Sequence, residues 1–566
     1  MQANRLILPI IIAILLLWTG VAVSSDISVE LPDSYVKPRP AEIISSRTIE
    51  YLNAKSIDGR VKIWVFFSDR GITSKSEFIQ AASTLSDRIT DRALARRKKS
   101  GKDKFTIIDV PVKASYVNAV VDLGAESRRT SRYLNAASFE VPISLLGAIA
   151  NLPFVVEIRP MIGAKKTYPS ETGTTKDGSS ESLNSPDLNY GASFDQLNQI
   201  NVIPAHNAGY AGQGVIVAMF DSGFRTTHRV FQDIMFTGRL LAEYDFVFDD
   251  GNVDNEPEDW SIAWNHGTKT WSTLGGLWDA NHYGPAYGAR FILAKTEDIR
   301  SETPVEEDNW VAAVEWVDSI GTDVISSSLL YSDWYTASDY DGNTATTTIA
   351  ADMAAEYGIV VCNSAGNAGP SPSTIGAPAD ADSILAVGAV YSTGGIVGFS
   401  SRGPTYDGRI KPEICARGSE TACASASDDE ALTTASGTSL SCPLIGGVAT
   451  LVIQAHPDWT AMQVREAMLM TADNAATPDN DYGWGIANCW AAINYSFGPP
   501  EYVAGDADGS GAVDIDDVVY LIQYIFSGGP APDPLESGDA DCSGEIDIDD
   551  AVYLIEYIFS NGPEPC

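Results

Sequence analysis

The sequence predicts an α/β fold: a parallel sheet with helices on both faces, preceded by an α+β unit and followed by a small helical repeat module. Three observations predict it. Between residues 186 and 498, apolar strand-like runs alternate with helical runs, as in parallel strands joined by crossover helices. The strand runs are continuous, as in Val215-Ile216-Val217-Ala218-Met219-Phe220, so both faces of the sheet must be covered. Beyond Pro499-Pro500, a loop followed by a helix occurs twice with a period of 33 residues.

At 566 residues the chain is too long for one core, so several domains are expected. The formal net charge is −38 and the isoelectric point about 4.3, which argues against nucleic acid or an anionic membrane as a partner. Residues 1–24 read as a signal peptide. Arg5 supplies the positive start, Leu6 to Trp18 the apolar run, and Ala22-Val23-Ser24 the small-residue cleavage pattern. That run is short for a membrane span. The remainder is expected to be secreted, free of membrane and monomeric.

Residues 25–185 form the α+β unit. Strands are expected at Val61 to Phe67, Ala136 to Pro142 and Val155 to Ile158, and helices at Ala93 to Lys99 and Leu145 to Leu152. The run Arg96-Arg97-Lys98-Lys99 reads as a solvated helix face, with a processing site as the alternative. Residues 167–187 have the Ser/Thr/Gly composition of a linker. Charge divides the chain here. Residues 26–185 carry 24 basic and 19 acidic side chains, net +5, whereas 186–566 carry 12 and 56, net −44.

The chemistry gathers around Gly437-Thr438-Ser439-Leu440-Ser441-Cys442-Pro443, a small-residue turn leading into an apolar helix. A serine there has free backbone N–H groups beside it. Asp221 ends the first apolar strand, in Asp221-Ser222-Gly223, and Asn265-His266-Gly267-Thr268 opens a helix. A serine hydroxyl needs a base to take its proton; imidazole suits that role near neutrality, and a carboxylate fixes the imidazole tautomer. Asn363-Ser364-Ala365-Gly366-Asn367 follows another apolar strand. Phe399-Ser400-Ser401-Arg402-Gly403-Pro404, Lys411-Pro412-Glu413 and Tyr482-Gly483-Trp484-Gly485 come later.

In this order and spacing, residues 190–497 resemble the subtilisin-like serine proteases. The resemblance implies Asp221 as orienting acid, His266 as general base, Ser439 as nucleophile and Asn367 as side-chain donor to the oxyanion. Such a donor is worth about 2.7–4 kcal/mol, a value known for subtilisin and not obtained for this chain. It also implies that 25–185 is a propeptide that assists folding and blocks the cleft, and that Ser328, Leu329 and Leu330 line the substrate cleft. Leu330 stands where the family has Gly, Lys269 where it has His, and Leu440-Ser441-Cys442-Pro443 where it has Met-Ala-x-Pro. The basic propeptide would be held electrostatically by the acidic enzyme. The implied substrates are proteins and peptides, with no cofactor for catalysis.

The repeat pairs Asp506, Asp508, Ser510, Asp514 and Asp517 with Asp539, Asp541, Ser543, Asp547 and Asp550. These occupy positions 1, 3, 5, 9 and 12 of an EF-hand-type calcium loop, with Gly at 6 and Asp in place of the usual Glu at 12. A purely structural calcium clip is one reading. The duplicated loop-helix at 504–566, joined by a linker at 499–503, also resembles dockerin modules, which makes a cohesin-like protein a candidate partner, though the chain itself identifies none. The acidic stretch Asp249 to Asp259 reads as a surface loop, and Trp260, Trp264, Trp271 and Trp278 as packing beneath the site. Of seven cysteines, Cys415 and Cys423 could close a short loop, Cys542 could reach Cys566, and Cys362 and Cys442 read as buried thiols. The function expected is a secreted serine endopeptidase made as a zymogen. The alternative is a silent or secondary protease domain whose main role is attachment through the tail.

Overall fold

The structure is a computed structural model that describes residues 36–85, 88–102, 104–161, 170–171, 188–260, 262–300, 307–332, 334–497, 502–560 and 562–565. The predicted signal peptide lies outside the described residues, as does most of the predicted 167–187 linker. Contacts divide the chain into two units, one up to Cys489 and one from Trp490 onward.

The first unit begins with helix α1 (Ser46–Lys55), strand β1 (Arg60–Phe67), helix α2 (Asp91–Lys99) and strands β2 (Glu126–Ser131), β3 (Ala136–Pro142) and β4 (Val155–Pro160). The strands form an antiparallel sheet in the order β2-β3-β1-β4. Side chains alternate between the two faces of a strand. Ile63, Val65 and Phe67 therefore join Leu52 of α1 in a local core, while Trp64 and Phe66 point the other way into a core shared with the rest of the unit.

That larger part contains β5 (Ile216–Asp221), β6 (Leu240–Asp245), α3 (Asn265–Gly275), β7 (Arg290–Lys295), α4 (Glu307–Ile320), β8 (Val324–Ser327), α5 (Thr346–Glu356), β9 (Val360–Ser364), β10 (Leu385–Val390), β11 (Ile414–Arg417), β12 (Thr421–Ala424), β13 (Leu432–Ser436) and α6 (Thr438–Ala455). Seven strands form a parallel sheet in the order β11-β10-β9-β8-β5-β7-β6. One face packs on α4 and α5, through Ala218, Phe220, Ile292, Ile325 and Val361 against Trp310, Val314, Ala351 and Ala354. The buried helix α6 crosses β8 to β11 on the other face. The chain runs from β5 outward to β6 and β7, then returns to the opposite side of β5 at β8. Ligands of such sheets bind beyond the carboxyl ends of the strands at this reversal.

The α+β unit docks on α4 through arginines. Asp318 accepts from Arg96, Arg97, Arg132 (2.5 Å) and the Tyr133 hydroxyl (2.9 Å). Arg97 also reaches Asp109 at 2.7 Å and lies 4.0 Å over the Tyr357 ring. Arg128 pairs with Asp308 and Arg92 with Asp323. Arg96 and Arg97 are 3% and 2% exposed. The expected solvated face is thus corrected for these two: fixed carboxylate and carbonyl partners repay the desolvation of the guanidinium groups. Burial alone would raise the Asp318 carboxyl, but the three guanidinium charges outweigh it and hold it well below the usual carboxylate range.

Neither Cys415 nor Cys423 is in a disulfide, which corrects the proposed loop closure. Cys415 sits in the main sheet, where its thiol donates to the Tyr482 carbonyl, while Cys423 lies in the separate β12–β13 hairpin. Cys362 and Cys442 are buried free thiols as expected. Cys542 is disulfide-bonded, and Cys566 lies outside the described residues.

The second unit carries α7 (Ile515–Ser527) and α8 (Ile548–Ser560), packed together around Val518, Leu521, Ala551 and Leu554. Each helix follows its acidic loop.

Candidate active site

Asp221 is the last residue of β5, fully buried. Its Oδ1 accepts from His266 Nδ1 at 2.8 Å and from the Ser222 backbone N–H at 2.8 Å. Its Oδ2 accepts from the Thr270 hydroxyl at 2.9 Å. His266 and Thr270 are one turn apart on α3, so both reach the same carboxylate. Gly267 permits this approach, since a Cβ there would strike the Gly223 carbonyl. Burial lowers His206 and His282 to about 4. At His266 burial is again the largest single effect, but the charge and hydrogen bond of Asp221 outweigh it, and the imidazole is raised above 6.5.

Ser439 is the second residue of α6, 4% exposed. Its turn is clamped by the segment after β9. Asn367 Oδ1 accepts from the Thr438 N–H and hydroxyl, both at 2.9 Å, and the Gly366 N–H donates to the Thr438 hydroxyl at 3.2 Å. Holding the amide oxygen turns the donor end of Asn367 away from Thr438. Gly366 has φ +107°, and a Cβ there would meet Ser401 Oγ at 2.8 Å, so this bend needs glycine.

Pro443 lies inside α6 and has no N–H to donate back to the Ser439 carbonyl. The Ser328 hydroxyl makes that bond instead, at 3.1 Å. Ser328 thus ties the end of β8 to the Thr438-Ser439 turn. Leu329 is buried, its carbonyl accepting from Asn363 Nδ2 at 3.0 Å, and Leu330 is half-buried beside it. The carboxyl ends of β5, β8 and β9 therefore bring Asp221, Ser328 to Leu330, and Asn367 to the sheet edge at the reversal, where α3 and α6 carry His266 and Ser439.

Sequence reasoning missed Thr270, Thr438 and Ser222. The four-residue spacing from His266 was the available signal for Thr270. Of the tryptophans, Trp271 is buried and stacks on Phe231 at 3.7 Å, as the packing reading expects, whereas Trp260 is 53% exposed. The Asp249 to Asp259 stretch is more than a surface loop. Asp259 is pinned at 2.7 Å to the ammonium of Lys295, which also meets Asp245 at 2.7 Å.

In the second unit the carboxylates of Asp506, Asp508 and Asp517 converge, their oxygens within 4.8 Å, and so do those of Asp539, Asp541 and Asp550. Burial raises Asp517, and the charges of Asp508 and Asp506 add to it; Asp550 is raised in the same way. Converging like charges of this kind fit a hard cation with oxygen ligands. Ser510 donates to Asp506 Oδ1 at 3.3 Å, and the Ser543 hydroxyl donates to the Glu545 carbonyl at 3.1 Å. Asp514 and Asp547 accept the N–H of Asp516 and of Asp549, each at 2.8 Å, and so stand at the helix starts.

Comparison with known proteins finds a family for each domain. The model of the Subtilase family matches residues 212–485, that of the Peptidase S8 propeptide domain, Bacteroidota, matches 62–177, and that of the Dockerin type I domain matches 504–559. Subtilisin E of Bacillus subtilis is 32% identical over 300 residues, covering 52% of this chain and 70% of that protein. Subtilisin of Bacillus pumilus is 31% identical over 299 residues, covering 52% of this chain and 97% of that protein. Fervidolysin from Fervidobacterium pennivorans, a keratinolytic enzyme related to subtilisin, superposes with a TM-score of 0.56 at 19% identity, over 85% of this chain and 68% of that one, which speaks to the fold. The chain belongs to the subtilase family and is a serine endopeptidase with its own propeptide and a dockerin domain.

Proposed function

We propose that this chain is a secreted endopeptidase made as a zymogen, in which Ser439 attacks the peptide carbonyl. His266 Nε2 takes the hydroxyl proton as the Oγ–C bond forms, and later gives it to the leaving amine. Asp221 holds Nδ1 and stabilises the imidazolium. The Asn367 amide and the first N–H groups of α6 receive the oxyanion. Water then hydrolyses the acyl-enzyme by the same proton route. The observation that carries this reading is the 2.8 Å His266–Asp221 bond at the same sheet edge as the clamped Thr438-Ser439 turn. Ser170–Glu171 pairs antiparallel with Ser436 and Ala435, just before the nucleophile, which supports cleavage of the linker by the chain's own site.

The tail would hold calcium through Asp506, Asp508 and Asp517 and through Asp539, Asp541 and Asp550. The ion's chemistry there is neutralisation of these carboxylates. Each tail helix exposes a matching apolar stripe: Ile515, Val519, Ile522 and Phe526, and Ile548, Val552, Ile555 and Phe559. These stripes support attachment to a cohesin-like protein as a second role beside proteolysis. A fluorophosphonate probe tests the catalytic reading. The mature enzyme should be labelled, while Ser439→Ala should be unlabelled, inactive on casein and still joined to its propeptide. Casein hydrolysis by Ser439→Ala would refute the nucleophile.

A further inference from the structure

Two segments wall the approach to Ser439. Ser328 to Leu330 leave β8, and Ala365 to Asn367 leave the adjacent parallel strand β9. Both are tied to the nucleophile turn, the first by the Ser328 hydroxyl on the Ser439 carbonyl and the second by the Asn367 and Gly366 bonds to Thr438. A peptide that places its carbonyl carbon at Ser439 Oγ and its oxygen toward Asn367 must run through the slot between them. The side chain of the residue whose carbonyl is attacked leaves the chain one atom from that carbonyl. It therefore projects into the slot, past Gly366.

Glycines form the far side of this space. Gly366 and Gly376 present no side chains there, so the space between them is left to a neighbouring group. Leu330 fills it. A Cβ built on Gly376 would lie 2.9 Å from Leu330 Cγ and 3.0 and 3.1 Å from its two methyl carbons. One built on Gly366 would lie 3.5 Å from both methyl carbons. The isobutyl group thus stands where a side chain on Gly376 would stand and one methyl's reach from Gly366, so it takes up the space that the two missing side chains leave. The next residue is fixed, since the Tyr331 N–H bonds the Ala377 carbonyl at 2.8 Å, so the backbone carrying Leu330 is held against the Gly376 segment.

We propose that Leu330 is a specificity-determining residue that closes the recess and restricts the substrate residue whose carbonyl is attacked to glycine, alanine and serine. This rests on the assignment of Ser439 and Asn367. The substrates are then proteins rich in small residues, and bonds after aromatic or long aliphatic residues are poor sites. The linker that the propeptide reading requires to be cut offers such bonds, with Gly and Ser at 173, 178, 179 and 180.

The test uses the mature enzyme and tetrapeptide p-nitroanilides, Ala-Ala-Pro-X, with X alanine, leucine or phenylalanine. The wild type should hydrolyse the alanine substrate with kcat/KM at least tenfold above the phenylalanine one. Leu330→Gly and the milder Leu330→Ala should each raise the ratio of kcat/KM for phenylalanine to that for alanine at least tenfold. A wild type that prefers phenylalanine overturns the proposal, and the wild-type ratio alone decides if the variants do not fold. Labelled, active variants with an unaltered alanine-to-phenylalanine ratio also overturn it. An enzyme with neither labelling nor hydrolysis of any substrate removes the Ser439 assignment, and this proposal with it.

Discussion

The contact between propeptide and enzyme can be broken at one atom group. Asp318 is fully buried and serves three guanidinium groups and one hydroxyl. Asp318→Asn keeps the volume and removes the charge, leaving the Arg96 and Arg97 side chains, both 2% exposed, short of their shared anion. Removing one partner of a buried ion pair costs about 3–5 kcal/mol. At about 1.36 kcal/mol per decade, the inhibition constant should rise by roughly two to nearly four orders of magnitude. The assay titrates mature wild-type and Asp318→Asn enzyme with propeptide 25–185 while following peptide hydrolysis. Without propeptide the two should have equal kcat/KM, since Asp318 lies in the last turn of α4 and takes no part in the site. An inhibition constant within threefold of wild type would show that the arginines are spectators and that the apolar contact of Trp64 and Phe66 does the holding.

The same burial sets the response to salt: these pairs are poorly screened, so raising salt from 0.05 to 0.5 M (assay values) should slow association far more than it speeds dissociation, as surface plasmon resonance would read. His266 must be neutral to act as base, and its raised value means that kcat/KM should fall with acid around a midpoint above 6.5; a midpoint at or below 6.5 would contradict the Asp221 contact. Ser328→Ala should lower the thermal midpoint by a few degrees, for a lost bond worth about 1–3 kcal/mol, and the loss should shrink in a Pro443→Ala background that restores the helical donor. The isolated tail should be largely unfolded in chelator and become helical on binding two calcium ions, with Asp506→Ala and Asp539→Ala each removing one; circular dichroism already helical in chelator and unmoved by calcium would refute this.

The sheet was legible because its strands are short continuous apolar runs, and a buried parallel strand leaves few other patterns for them. The Thr438-Ser439 turn and the acidic loops were legible because each is local: a pattern of particular residue types a few positions apart. What the sequence hid is tertiary. Arg96-Arg97 looks like any charged helix face until α2 is seen against Asp318. Cys415 and Cys423 are near in sequence but belong to different sheets. Ser328 and Pro443 carry the lesson furthest. A proline in the sixth position of a helix breaks a local rule, and the sequence shows the break plainly. It does not show the donor that mends it, 111 residues before the Ser439 carbonyl. Local rules broken inside an otherwise consistent fold mark functional sites. Here the break frees the Ser439 carbonyl, and the mending bond ties Ser328, two residues before Leu330, to the turn that carries Ser439.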